Sequence, residues 1–120
     1  MKKKILMTLS IILILCMGGF GIYVNDYSHA QNDALEILNH KNVEKVNSNL
    51  ITLTPEKKSD VGIIFYPGAK VENTAYLPLL EQITNKGYNC YLLKMPFNMA
   101  IFNKNAANKI INQYPNIKHW

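Results

Sequence analysis

"GIIFYPGAKVENTAYLPLLEQITNKGYNCYLLKMP", residues 62–96, sets the architecture of this chain. From Val61 to Pro67 the sequence is a nearly continuous apolar run, the mark of a strand buried on both faces. Pro67-Gly68 halts it. Residues 74–86 then put Tyr76, Leu77, Leu80 and Ile83 on one helical face. Pro78 falls near the first turn, where its missing N–H costs little, and Gly87 takes the position just past the helix end. Residues 88–96, "YNCYLLKMP", form a second buried apolar run. Strand, helix and strand at this spacing make a βαβ unit, with parallel strands and a right-handed crossover.

Working outward, "FNMAIFN" reads as a loop into a helix over residues 104–114, with Ala107, Ile110 and Ile111 inward and Pro115 at its end. "NIKHW" then begins another apolar segment. On the other side, residues 43–55 lean towards strand, with a β-rich run at 50–54 stopped by Pro55; residues 56–60 are a polar turn. Residues 26–41 place Ala30, Ala34, Leu35 and Leu38 at helical spacing, with Ser28 as the expected N-cap. Parallel strands buried on both faces need neighbours and helices on each side. Here an edge is left open where residues 117–120 point.

The first 24 residues are different in kind. Lys2, Lys3 and Lys4 precede residues 5–24, which carry no charge. As a helix those twenty residues span about 30 Å, the thickness of a bilayer's hydrocarbon core. The length favours a transmembrane anchor. Ser28-His29-Ala30 supplies the small-x-small site of a cleaved signal peptide as the alternative. Lipid attachment at Cys16 fits poorly, since Leu15 stands where such signals carry a small residue. The lysines before the span hold the amino terminus in the cytoplasm, leaving residues 25–120 outside it at the cell membrane, or secreted after cleavage.

The net charge of +5 comes largely from that leader, and the rest is too scattered for nucleic acid, which wants a clustered basic face. Cys16 and Cys90 lie in a membrane segment and a strand, and no C-x-x-C or Cys/His cluster offers a zinc site. Gly68-Ala69-Lys70 is not a phosphate loop, because Lys70 precedes Val71 rather than Ser or Thr and the second glycine is missing; a G-x-G-x-x-G is missing too. No cofactor or metal is therefore expected. His29, His40 and His119 are isolated, and none of the four serines sits on a strand-to-helix elbow.

From Gly62 onward the chain resembles the α/β-hydrolase family, and within it the small bacterial, membrane-anchored members of the α/β-hydrolase fold-5 type. "FYPGAKV" and "KMPFNMA" carry the likeness most specifically, and "DYSHA" at 26–30 is similar to a short juxtamembrane segment of those proteins. The resemblance implies an α/β fold. Residues 1–24 would be anchor or signal, and residues 25–120 the N-terminal half of the hydrolase sheet: a parallel βαβ unit and a preceding β-rich segment. The strand ending at Pro67 would be third in the family's sheet, and the turn after it would lend a backbone N–H to the oxyanion hole. That carries over to the amide of Ala69, with Lys70 the neighbouring candidate. No catalytic side chain carries over, because the G-x-S-x-G elbow, the acid and the histidine come later in the family. The resemblance thus implies a truncated hydrolase, acting in full-length form on a small-molecule ester or similar acyl bond through a Ser nucleophile. Two alternatives stand beside it: a small anchored binding or structural module without catalysis, and a complementing chain that supplies the missing part.

Overall fold

The computed structural model describes residues 1–120. One four-stranded sheet organises residues 43–93, from β1 (Val43–Asn47), β2 (Leu50–Leu53), β3 (Gly62–Phe65) and β4 (Asn89–Leu93) in the spatial order β1-β2-β4-β3. β3 and β4 pair in parallel, as the βαβ pattern requires, with Ile63 beside Cys90 and Phe65 beside Leu92. The sheet as a whole is mixed, because β2 runs antiparallel to β4 and β1 antiparallel to β2. The β-leaning stretch at 43–55 is thus a hairpin. Its turn is Ser48-Asn49, where the Asn47 side chain accepts the Asn49 N–H at 2.8 Å.

β4 lies at the centre, and all five of its residues are buried. Alternate side chains feed two separate cores, as strand geometry dictates. Cys90 and Leu92 meet Ile51, Leu53, Leu77, Leu80 and Ile37 on one face. Tyr91 and Leu93 meet Leu50, Met95, Ala106, Ile110 and Ile117 on the other. The first face is covered by α3 (Leu77–Asn85), entered through a 3-10 turn at Asn73–Tyr76, and by the 3-10 turn Ile37–Asn39 that continues α2 (Asn32–Glu36). α3 ends as its sequence requires, with Gly87 at φ 103, a conformation that costs a glycine nothing.

The second face is covered by α4 (Ala106–Gln113). Its inward residues are Ala106 and Ile110, whereas Ala107 is only half-buried and Ile111 is exposed. Ile110 is inward as expected, and the face is turned about it by less than one residue's 100°, towards Ala106 and away from Ile111. Two contacts set the rotation: Tyr114 packs on Tyr91 with ring centroids 4.6 Å apart, and the Ala107 N–H turns towards Tyr66.

Residues 117–120 lie along the outer edge of β3, the edge expected to be open. The Gly62 N–H donates to the His119 carbonyl at 2.8 Å, within a parallel bridge between Val61 and His119. Trp120 packs over Gly62 and against Tyr91. The bridge has the direction of a further parallel strand.

α1 (Lys2–Asn25) has no buried residue and is long and apolar enough to cross a membrane or to serve as a signal sequence. The helix expected over residues 26–41 is shorter than its pattern, and its N-cap is Gln31, not Ser28. Ser28 is extended: its N–H donates to the Lys70 carbonyl and its own carbonyl accepts the Glu72 N–H, both at 2.8 Å. Tertiary pairing at both backbone groups outweighs the local cap.

Candidate active site

The C-terminal ends of β3 and β4 point the same way, and the segments that follow them meet there. After β3, Tyr66 turns its hydroxyl to α4, accepting the Ala107 N–H at 2.8 Å and donating to the Lys104 carbonyl at 2.9 Å. Pro67 is buried and closes the strand. The next three amides have different fates. The Gly68 N–H donates to the Tyr76 hydroxyl at 3.0 Å. The Lys70 N–H donates to the Asn98 carbonyl at 2.8 Å. The amide of Ala69, an exposed residue, has no acceptor within the protein.

The loop after β4 meets this turn from the side. Phe97 (φ 53, ψ 25) and Asn98 (φ 53) are consecutive left-handed residues without glycine, and Lys70 (φ 57), across the hydrogen bond, is a third. Each such residue costs on the order of 1–2 kcal/mol and persists only where its surroundings hold it. Here the Lys70–Asn98 bond couples the strained segments.

A third segment completes the site. Residues 26–30, leaving α1, run beside residues 70–72 through the Ser28–Val71 bridge, and the Glu72 carboxylate accepts the Ala30 N–H at 2.8 Å. Lys70 reaches back to Asp26 at 3.3 Å and lies over the Tyr23 ring, 4.2 Å from its centroid. Asp26, Tyr27, Ser28, Ala69, Lys70 and Val71 line a cleft of about 320 Å³. It joins a free backbone donor, an ammonium group and a carboxylate. It can hold a small polar or anionic group, and none of its side chains is a nucleophile paired with a base.

A larger cleft of about 750 Å³ opens at the opposite end of the sheet, lined by Lys41, Glu56, Lys57, Glu81 and their neighbours, with Pro55 its one apolar side chain. Ligand sites are mostly apolar with a few placed polar groups, so this is a wet groove between surface loops. The perturbed titrations lie elsewhere again. Burial pushes the Cys90 thiol up, with the Thr84 hydroxyl acting against it. Burial, then Tyr114 and Cys90, raises the Tyr91 phenol to about 12; burial and then Glu44 raises Tyr114. These groups belong to the core around β4. The histidines stay apart: His40 bonds Glu81, His29 lies 3.7 Å from Glu72, and His119 is in the edge bridge. No group of three His, Cys, Asp or Glu side chains gathers where a metal ion would sit.

A parallel βαβ unit with a turn full of engaged and free amides at its strand ends suits several families; sequence decides between them. Residues 62–120 match the model of the alpha/beta hydrolase family. This segment belongs to that family. No curated protein and no solved structure matches the chain. The matched segment begins at the first residue of β3 and takes in every residue from there to Trp120, so it includes the Ala69–Val71 side of the cleft and the loop after β4, while residues 26–28 lie outside it. β3 is the third strand of the sheet in chain order, as the resemblance implied.

Of the two backbone candidates, the structure places both Ala69 and Lys70 in the turn and leaves only the Ala69 N–H free. Sequence reasoning missed the part played by residues 26–28 and by Asn98. Asn98 is a residue type that tolerates φ > 0, which is a weak local signal; Phe97 gives none.

Proposed function

We propose that this chain contributes the oxyanion side of a membrane-anchored alpha/beta hydrolase acting on ester or similar acyl bonds. The supporting observation is the Ala69 N–H, free at the end of β3 within a segment of hydrolase sequence. In this family fold, one oxyanion donor comes from the loop between the third strand and its helix. An amide held by the Gly68–Tyr76 hydrogen bond on one side and by the Lys70–Asn98 bond on the other faces a developing negative charge without reorganising, and one such donor is worth on the order of 3 kcal/mol. Lys70 then serves as the flanking residue whose engaged amide fixes the turn. The nucleophilic Ser, the acid and the histidine are supplied from outside residues 1–120, by the same polypeptide or by a complementing chain. α1 anchors the protein, with Lys2, Lys3 and Lys4 on the cytoplasmic side and the hydrolase segment outside.

The test is active-site labelling. The 120-residue chain is treated with a fluorophosphonate probe and a chromogenic ester, alone and after co-expression with the reading frame that follows Trp120. No labelling alone, and serine labelling with ester turnover after co-expression, is the expected pair of results. Failure of the co-expressed material to label or turn over would favour a binding module without catalysis. Labelling of the 120 residues alone would show that the nucleophile has been misassigned.

A further inference from the structure

The loop after β4 carries an apolar surface that the hydrolase reading does not use. Phe97 is 49% exposed, Ile101 78% and Phe102 51%. Residues 95–103 contain no charge, and Lys94 and Lys104 bracket them. The rings form a chain: Phe97 packs edge-on against Phe102 at 5.4 Å and against Phe20 of α1 at 5.6 Å. The loop is therefore built against the C-terminal part of the membrane-length helix, and the strained pair Phe97-Asn98 is held between that helix and the Lys70 amide.

The position of Phe20 fixes a depth. The apolar stretch of α1 ends at Val24, four residues beyond Phe20, which is about 6 Å along a helix. A ring touching Phe20 sits about that far below the end of the apolar span. Interfacial segments bury their apolar side about 5–10 Å into the boundary between headgroups and acyl chains, with lysine stems reaching back to the headgroups. The loop has that depth, that exposed apolar surface and those flanking lysines. Tyr23, beneath Lys70, sits at the level where aromatic side chains collect at membrane surfaces.

We propose that residues 97–102 form a second bilayer contact beside α1, immersed at the headgroup–acyl boundary. The contact rests on the reading of α1 as a membrane anchor. Through the Lys70–Asn98 hydrogen bond it places the Ala69 cleft against the membrane surface.

Depth-dependent quenching in the full chain tests this. The protein is placed in phosphatidylcholine vesicles, and an environment-sensitive fluorophore is attached at one thiol. The three sites are native Cys16, Ile101→Cys in a Cys16→Ala background, and Lys57→Cys in the same background. Cys90 is fully buried and stays unlabelled. Lys57 lies in the groove at the opposite end of the sheet and serves as the aqueous control. The probe at 101 should lose roughly half or more of its emission to lipid brominated near the ester end of its chains, as immersion of about 5–10 Å requires, and resist aqueous iodide. The probe at 57 should show the reverse, and that at Cys16 should respond best to bromine deep in the chains. Quenching of position 101 by iodide as at 57, with Cys16 still lipid-quenched, overturns the loop contact and leaves the anchor standing. Protection of 101 from both quenchers overturns it in favour of a protein cover. Loss of lipid quenching at Cys16 removes the anchor and the contact together.

Discussion

Replacing Tyr66 by Phe removes one oxygen atom and keeps the ring, so its effect is traceable to two hydrogen bonds. The hydroxyl accepts the Ala107 N–H at 2.8 Å and donates to the Lys104 carbonyl at 2.9 Å. Ala107 is the second residue of α4, and Asn105 at the N-cap makes no side-chain hydrogen bond. Tyr66 therefore does from β3's end what a capping side chain does locally. Loss of an N-cap costs about 0.5–2 kcal/mol, and an ordinary hydrogen bond about 1. Water reaches the Lys104 side of the site and replaces part of that bond, which puts the sum at about 1–2 kcal/mol. For a folded part of this size the thermal midpoint should fall by about 5–15 °C. The measurement is thermal unfolding of the full chain in detergent micelles by near-ultraviolet circular dichroism, joined to amide hydrogen exchange. Exchange should accelerate at Ala107 and its neighbours in the first turn of α4 before it changes in β4. A midpoint that does not move would refute the reasoning. So would a fall accompanied by uniform acceleration across the sheet, since the cap would then not be the cause.

Other outcomes follow from the same geometry. Gly62→Ala would bring a Cβ within 2.7 Å of the Trp120 ring and 2.9 Å of Ile117, so it should destabilise by about 1–3 kcal/mol in denaturant unfolding; a neutral result would mean that residues 117–120 do not lie against β3. Tyr91 is held to about 12 against an ordinary 10, so its neutral form is favoured in the folded state. That stabilisation, on the order of 3 kcal/mol, is fully present below pH 10 and lost as pH rises towards 12. Urea midpoints at pH 9 and pH 11.5 should differ accordingly and differ less in Tyr91→Phe, whereas equal pH dependence in both proteins would clear Tyr91 of the role. Leu92→Ala, in the core at the sheet's centre, should cost about 2–5 kcal/mol and is checked by the same unfolding curves. In the active, nucleophile-bearing assembly, Ala69→Pro deletes an N–H that makes no bond within the protein, so turnover should fall by roughly 10²–10³ with folding intact. Undiminished turnover in that variant would move the oxyanion donor elsewhere.

β3, α3 and β4 were readable because each obeys one rule strongly: apolar runs for the strands, a clean helical face, and Pro or Gly where each element stops. Burial on both faces holds for β4 alone, since β3 lies at the sheet's end and three of its four residues are half-buried. α4 was readable as a helix but not in its rotation. Ala106-Ala107 and Ile110-Ile111 are adjacent apolar pairs, so apolarity alone permits two faces, and Tyr66 and Tyr91 choose between them through contacts distant in sequence. The β1–β2 hairpin was half-legible, because Ser48-Asn49 lacks the Asn-Gly signature of a tight turn and its register rests on β4. Least legible was the cleft. Ser28 carries the local signature of an N-cap, yet residues more than forty positions away take both its backbone groups. Likewise Ala69 and Lys70 are neighbours with the same backbone chemistry, and only the Asn98 carbonyl distinguishes them.

The strand order has a consequence for how the chain is made. β1 and β2 are neighbours in sequence and in space, so the hairpin can form as soon as both have left the ribosome. β3 cannot join it. Its place is at the far side of β4, and β4 begins roughly two dozen residues later. At about 5–20 residues per second, β3 waits on the order of 1–5 s with its apolar face uncovered. A nascent chain in which Lys2–Asn25 form an apolar helix long enough to cross a membrane thus carries a second sticky segment in the same interval. Holding the chain at a membrane through α1 in that interval, as the proposed anchoring requires, would keep that segment from pairing before its partner exists.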